Sequence, residues 1–156
     1  MKNKKGFTLI ELLVVVAIMG LLAALAVVAL NNARARARDA RRVSDVKQLQ
    51  TALELYYLDQ NEYPDAPSAP GIIESLCLSS TNGLAVGCAG TTYMSLTPVN
   101  PSPRVDGGCA DTSYIYAVQA SGNNNISYYI TYCLGSATGT LTAGSHNGTP
   151  AGLVDD

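Results

Sequence analysis

The chain has 156 residues, with 10 Lys and Arg against 12 Asp and Glu, and that length allows one modest domain plus one membrane segment. Nine of the ten bases stand at or before Lys47, whereas residue 48 onward holds nine acids against Arg104 alone, a formal net charge of −8. A domain that acidic repels phosphate backbones, so nucleic acid is not an expected partner.

The N-terminal stretch MKNKKGFTLIELLVVVAIMG sets a carboxylate, Glu11, within an apolar run. From Leu12 to Leu30 nineteen consecutive residues lack a polar side chain, which makes about 28 Å of helix, roughly one bilayer core. A cleavable signal peptide is the competing reading, favoured by Lys2, Lys4 and Lys5 and by an A-x-A triplet at Ala24 to Ala26. A signal's apolar core is shorter, however, and this triplet lies inside the run instead of after it. Arg34, Arg36, Arg38, Arg41 and Arg42 beyond the far end remove charge asymmetry as a guide to orientation.

No proline occurs before Pro64, and the stretch after Leu30 is rich in Ala, Arg, Leu, Gln and Lys. Helix is therefore expected to continue to about Leu58. On a helical wheel Val43, Val46, Leu49, Leu53, Tyr56 and Tyr57 share one arc, a docking face, with Asp45, Gln48, Thr51 and Asp59 outside it. Arg34, Arg38, Arg41 and Arg42 cluster on one side and read as a solvated or headgroup-facing collar. The segment LDQNEYPDAPSAP ends the helix, because Asn61 tolerates a left-handed conformation and Pro64 cannot continue.

Beyond it, Ile72, Ile73, Leu76 and Leu78 predict a short helix, and TPVNPSPRVDGG a loop. Tyr114 to Ala120 and Ile126 to Leu134 alternate on either side of SGNNN, which predicts a β-hairpin with Ile126, Tyr128, Ile130, Tyr132 and Leu134 on one face. A third strand is expected from Thr140 to Ala143, followed by a flexible Gly/Thr-rich tail. Cys77, Cys88, Cys109 and Cys133 lack the short paired spacing of a zinc site, and the only histidine is His146 in the tail. Two disulfides are expected, with Cys77 to Cys88 and Cys109 to Cys133 the simplest pairing. They place this part of the chain, and hence the far side of the membrane segment, in an oxidising compartment.

GFTLIELLVVVAIMG, from Gly6 to Gly20, resembles the N-terminal signature of type IV prepilins and of the pseudopilins of type II secretion almost residue for residue. LELYYLDQNEYP, from Leu53 to Pro64, is similar to the segment that closes the long helix of major pseudopilins and many short pilins. The resemblance implies an α+β, type IV pilin-like fold: a long N-terminal transmembrane and amphipathic helix packed on a small antiparallel β-sheet head. It implies a leader at 1–6, a transmembrane and assembly half of the helix at 7–30, an amphipathic half at 31–60, and an extracytoplasmic disulfide-bonded head at 61–156. Gly6 would be the last residue removed by a prepilin peptidase and Phe7 the new, methylated N-terminus. One departure stands out. Many pilins carry a proline after the glycine equivalent to Gly20, and none occurs here, so melting and a continuous helix are both open at that point.

Glu11 would be the family's assembly glutamate. A carboxylate in lipid is costly and persists where it finds a partner. Cleavage before Phe7 creates one, an α-amine that a staggered neighbour can bring beside Glu11; the competing reading pairs Glu11 with Lys4 or Lys5 of its own chain at headgroup depth. The implied partners are other copies and related pilins in a filament, the prepilin peptidase, an inner-membrane assembly platform with its ATPase, and membrane lipid before assembly. No cofactor is expected, apart from calcium as in major pseudopilins, for which Asp106 and Asp111 could supply oxygens, although a hard cation needs six or more. The implied function is a structural subunit of a type IV pilus or pilus-like filament, with a type II secretion pseudopilin as the alternative. A membrane-anchored enzyme is a third reading that no Ser/His/Asp or Cys/His constellation supports, so no catalytic residue is assigned.

Overall fold

The computed structural model describes residues 6–67, 71–104, 109, 113–122 and 124–155. One helix, α1 (Leu9–Gln60), precedes eight strands: β1 (Gly71–Ile72), β2 (Cys77–Ser79), β3 (Gly83–Ala85), β4 (Thr92–Met94), β5 (Ile115–Ser121), β6 (Asn124–Leu134), β7 (Gly144–Thr149) and β8 (Gly152–Asp155). The chain divides between Arg34 and Ala35 into two compact units.

In the first unit, every residue of α1 from Leu9 to Arg34 is exposed. That is the condition of a helix whose apolar side chains have no protein to cover them, and by length and composition it suffices to cross a membrane. Gly20 lies inside the helix without interrupting it; with no proline to remove a hydrogen bond, one glycine weakens a helix without breaking it.

The second unit builds its core between the remaining part of α1 and two antiparallel sheets. The larger has the order β1-β5-β6-β7-β8 and the smaller β3-β2-β4. Val46, Leu49, Ala52, Leu53 and Tyr56 of the helix are buried in one cluster with Ile73, Leu78, Leu84, Tyr114, Tyr116, Tyr128, Ile130, Tyr132 and Leu134, while Val43 and Tyr57 pack at its edge. The helix meets β7 closely: a Cβ built on Gly148 would fall 2.6 Å from Val46 Cγ1. The helix ends where Asn61 takes φ 60° and its N–H donates to the Tyr57 carbonyl at 2.8 Å. The exit segment is then pinned, since Tyr116 donates its hydroxyl to the Pro64 carbonyl at 2.8 Å and Tyr63 to Glu54 Oε1 at 2.9 Å.

The β5–β6 hairpin pairs Val118 with Tyr128 and Ser121 with Asn124, with a bulge between Gln119 and Ala120. Four of the five residues expected on one inward face of β6 are buried, and Ile126, near the hairpin tip, is exposed. Elsewhere the sheet differs from the expectations. Ile72, Ile73, Leu76 and Leu78 form no helix: β1 pairs with β5, and β2 sits between β3 and β4. Thr140 to Ala143 forms only a bridge between Thr138 and Leu141. The expected flexible tail is a second hairpin, β7–β8, whose main chain pairs along β6 from Ile130 and Gly148 to Leu134 and Gly144. Small side chains suit β7 because it runs under the helix, and His146 is buried there with Nδ1 2.9 Å from Asp155 Oδ1 and Nε2 3.0 Å from the Thr142 carbonyl.

Candidate assembly site

The start of α1 explains itself from four residues, Thr8-Leu9-Ile10-Glu11. Thr8 precedes the first helical residue, where the leading N–H groups lack intrahelical partners. Its Oγ1 accepts from the Glu11 N–H at 3.3 Å, while Glu11 Oε2 accepts from the Thr8 N–H at 2.8 Å and from Thr8 Oγ1 at 2.7 Å. That is a reciprocal capping box. Both bonds onto the carboxylate fall on Oε2, leaving Oε1 without a hydrogen-bond partner among the described residues. Sequence reasoning missed Thr8, although T-x-x-E ahead of an apolar run is the signal of such a box. Among the described residues Glu11 meets Thr8; Lys4 and Lys5, which the headgroup reading pairs with it, lie outside them. Gly6 and Phe7 stand exposed before the helix begins.

The arginine collar is not uniform. Arg34, Arg36 and Arg41 are exposed, but Arg42 is fully buried. Its Nη1 donates to Asp39 Oδ1 at 2.7 Å, Nε to Asn100 Oδ1 at 2.8 Å, and Nη2 to the carbonyls of Pro103 and Arg104 at 3.1 and 3.2 Å. Asp39, also fully buried, accepts in addition from the N–H groups of Gly135 and Ser136 and from Ser136 Oγ. The expected solvated role fails for Arg42 because an acid three residues earlier, the Asn100 amide and two loop carbonyls offer its buried guanidinium acceptors in place of water.

Asp45, expected outside the docking face, is buried as well. Tyr114 donates its hydroxyl to Asp45 Oδ2 at 3.0 Å, and Arg41 Nε lies 4.0 Å away. Burial nevertheless pushes the Asp45 carboxyl above its ordinary value, outweighing the lowering by Tyr114 and Arg41. Burial, with Asp45 beside it, likewise pushes the Tyr114 hydroxyl far up.

Cys77 is joined to Cys88 and Cys109 to Cys133, with Cα atoms 5.5 and 6.2 Å apart. The first staples β2 to the loop after β3; the second ties the end of β6 to the loop before β5. The calcium candidates Asp106 and Asp111 lie outside the described residues.

The model of the prokaryotic N-terminal methylation motif matches residues 1–27. The chain is 35% identical over 125 residues to the type IV major fimbrial protein FimA of Dichelobacter nodosus, a match covering 79% of this chain and 69% of that protein. The chain belongs to the type IV pilin and type II secretion pseudopilin family. Its family fold is the one seen here, a long N-terminal helix with antiparallel sheets, and the family is structural. Among other members, it is 43% identical over 63 residues to the type II secretion system core protein G of Aeromonas hydrophila, which covers 40% of this chain and 44% of that pseudopilin. It is 50% identical over 62 residues to a fimbrial protein of Pseudomonas aeruginosa, 40% of each chain. Over these two relatives the match spans about two fifths of their length. No solved structure matches the chain significantly.

Proposed function

We propose that this chain is a non-enzymatic, structural subunit of a type IV pilus or pilus-like filament. It is held first in the cytoplasmic membrane by α1, with its head outside the cytoplasm, and then assembled through the same helix. One observation carries this reading: the part of α1 from Leu9 to Arg34 is exposed throughout and holds a single carboxylate, Glu11, in its first turn. A fixed bilayer anchor needs the apolar surface but not the acid, whose presence in lipid is costly.

A prepilin peptidase cuts between Gly6 and Phe7, where the chain is exposed and not yet helical, and methylates Phe7. The new α-amine of one subunit then meets Glu11 of its neighbour, and an inner-membrane platform with its ATPase drives the addition of subunits. The buried Asp39–Arg42 knot and two disulfides keep the head folded through this transfer. The similarity to FimA over 125 residues reaches beyond α1 into the head and supports a pilus.

A second reading, a pseudopilin driving export by type II secretion, draws on the similarity to core protein G. Shearing cells and imaging the supernatant separates the two. Thin filaments containing this chain, with Phe7 as its N-terminal residue by mass spectrometry, support the pilus. Processed chain retained wholly in the envelope rejects it for the pseudopilin, and chain with an intact leader in either fraction rejects both.

A further inference from the structure

We propose that Arg34 and Arg36 bind anionic phospholipid headgroups and so set the depth of the unassembled subunit in the membrane, a step that rests on the membrane-span reading of α1 but not on which filament it enters. Between Arg34 and Arg42 the chain holds five arginines and one acid, Asp39. The structure takes that acid out of reach: Asp39 is buried and filled by Arg42, Gly135 and Ser136. The next acid, Asp45, is buried and bonded by Tyr114, with Arg41 already 4.0 Å from it. Arg34 and Arg36 therefore remain as exposed cations with no accessible acid nearby on their own helix.

Their position selects the partner. Arg34 and Arg36 follow Leu30, the end of the unbroken apolar run, by about 6 and 9 Å of helix rise, and the headgroup layer extends on the order of 5–7 Å beyond the hydrocarbon core. Helical side chains tilt toward the helix N-terminus, here back toward the bilayer. The stems can lie along apolar surface while the guanidinium forks take phosphodiester oxygens two at a time. A zwitterionic ethanolamine lipid carries its own ammonium beside the phosphate, whereas a glycerol headgroup does not, so the arginines discriminate between them.

The test places the full chain in bilayer discs of equimolar phosphatidylglycerol and phosphatidylethanolamine and counts retained lipids by native mass spectrometry. Each arginine is expected to favour the anionic lipid about fivefold, on the order of 20-fold for the pair. Arg34→Gln/Arg36→Gln should fall to near parity with unchanged helix content, whereas Lys47→Gln, farther along the helix, should keep the wild-type ratio. Parity in the wild type, an undiminished preference in the double variant, or an equal loss in Lys47→Gln would each overturn the proposal. So would loss of the preference on adding inorganic phosphate, which would mean that the arginines hold a free anion and not a lipid surface. A chain that never enters the discs would reject the membrane span itself, and the proposal with it.

Discussion

Replacing Arg42 by methionine tests whether the buried ion pair ties the helix to the head. Methionine keeps much of the apolar stem and removes the charge and all donors. Asp39 would lose its 2.7 Å contact with Nη1 but keep three donors from Gly135 and Ser136. Breaking a buried pair costs about 3–5 kcal/mol, and those surviving donors hold the electrostatic part near the lower end. Asn100 Oδ1 and the Pro103 and Arg104 carbonyls also lose their donor; the two carbonyls are only partly buried, so the addition is about 1 kcal/mol. The expected loss is therefore about 3–4 kcal/mol, a large share of the stability of any small domain. Asp39→Asn strands the opposite charge and should cost a similar amount. The double variant Asp39→Asn/Arg42→Met leaves no uncompensated charge, so it should lie about 2 kcal/mol or more above the sum of the singles. The assay is urea unfolding of the detergent-solubilised chain, followed by the near-ultraviolet dichroism of its nine tyrosines, with no tryptophan to obscure them. A loss under about 1 kcal/mol for Arg42→Met, or strict additivity in the double variant, would refute the reasoning.

Gly148→Ala would drive a methyl into Val46 Cγ1, 2.6 Å away, and should destabilise the head by about 1–3 kcal/mol in the same urea assay. Removing the disulfides one at a time should cost about 2.8 kcal/mol for Cys77–Cys88 and about 3.4 kcal/mol for Cys109–Cys133, from the loops they close; the order of the two urea midpoints checks this. Asp45→Asn keeps an oxygen for Tyr114. Because burial raises the Asp45 value above 3.8 in the folded head, its linked stability is full below that value and is lost as pH rises through the folded one. The variant should therefore be at least as stable as wild type at neutral pH, with any advantage shrinking as pH falls toward 3.8, read from melts across that range. Glu11→Ala should enter the membrane and lose its leader normally yet give few or no sheared filaments, checked by immunoblots of membrane and sheared fractions.

How far the sequence could be read depended on how many residues each element spends on its pattern. The stripe from Val46 to Tyr56 and the alternation of β6 repeat often enough to declare a helix and a strand, and both are seen. Strands β1 to β4 have two or three residues each, too few for any period to register, and their apolar residues mimic a helical turn. The last hairpin was hidden for another reason. Gly144 to Thr149 has almost no strand-favouring side chains, because β7 must run close beneath Val46; its turn chemistry at Pro150 and Ala151 was the available signal. Arg42 was hidden by its charge. Its partner Asp39, three residues earlier on the same helix, was visible, but the loop from Asn100 to Arg104 that completes its shell is distant in sequence. Six tyrosines stand in the core cluster, and several of their hydroxyls find a partner elsewhere in the chain. Glu54, Pro64 and Asp45 accept from Tyr63, Tyr116 and Tyr114, a dependence that burial patterns alone do not reveal.

The Thr8 bonds change what a neighbouring subunit has to supply. If Glu11 had no partner in its own chain, any polar group from a neighbour would relieve it, and assembly would be a rescue. Instead Oε2 already accepts two hydrogen bonds, and the carboxylate lies in the first turn, where the helix dipole favours negative charge. The subunit can therefore wait in lipid with its acid partly satisfied. A neighbour's α-amine is then free to approach Oε1, adding charge–charge attraction to a carboxylate already oriented by the cap. Orientation and charge separate in Glu11→Gln, whose amide oxygen can still accept from Thr8 while its charge is gone. If the amine pairing sets the stagger, Glu11→Gln should fail in the sheared fraction as fully as Glu11→Ala while keeping the helix start intact. Thr8→Val, which removes the hydroxyl but keeps the N–H donor and the acid, should still assemble at reduced yield. Wild-type filament yield from Glu11→Gln would mean that the cap is the whole role of Glu11, and the inter-subunit pair would have to be abandoned.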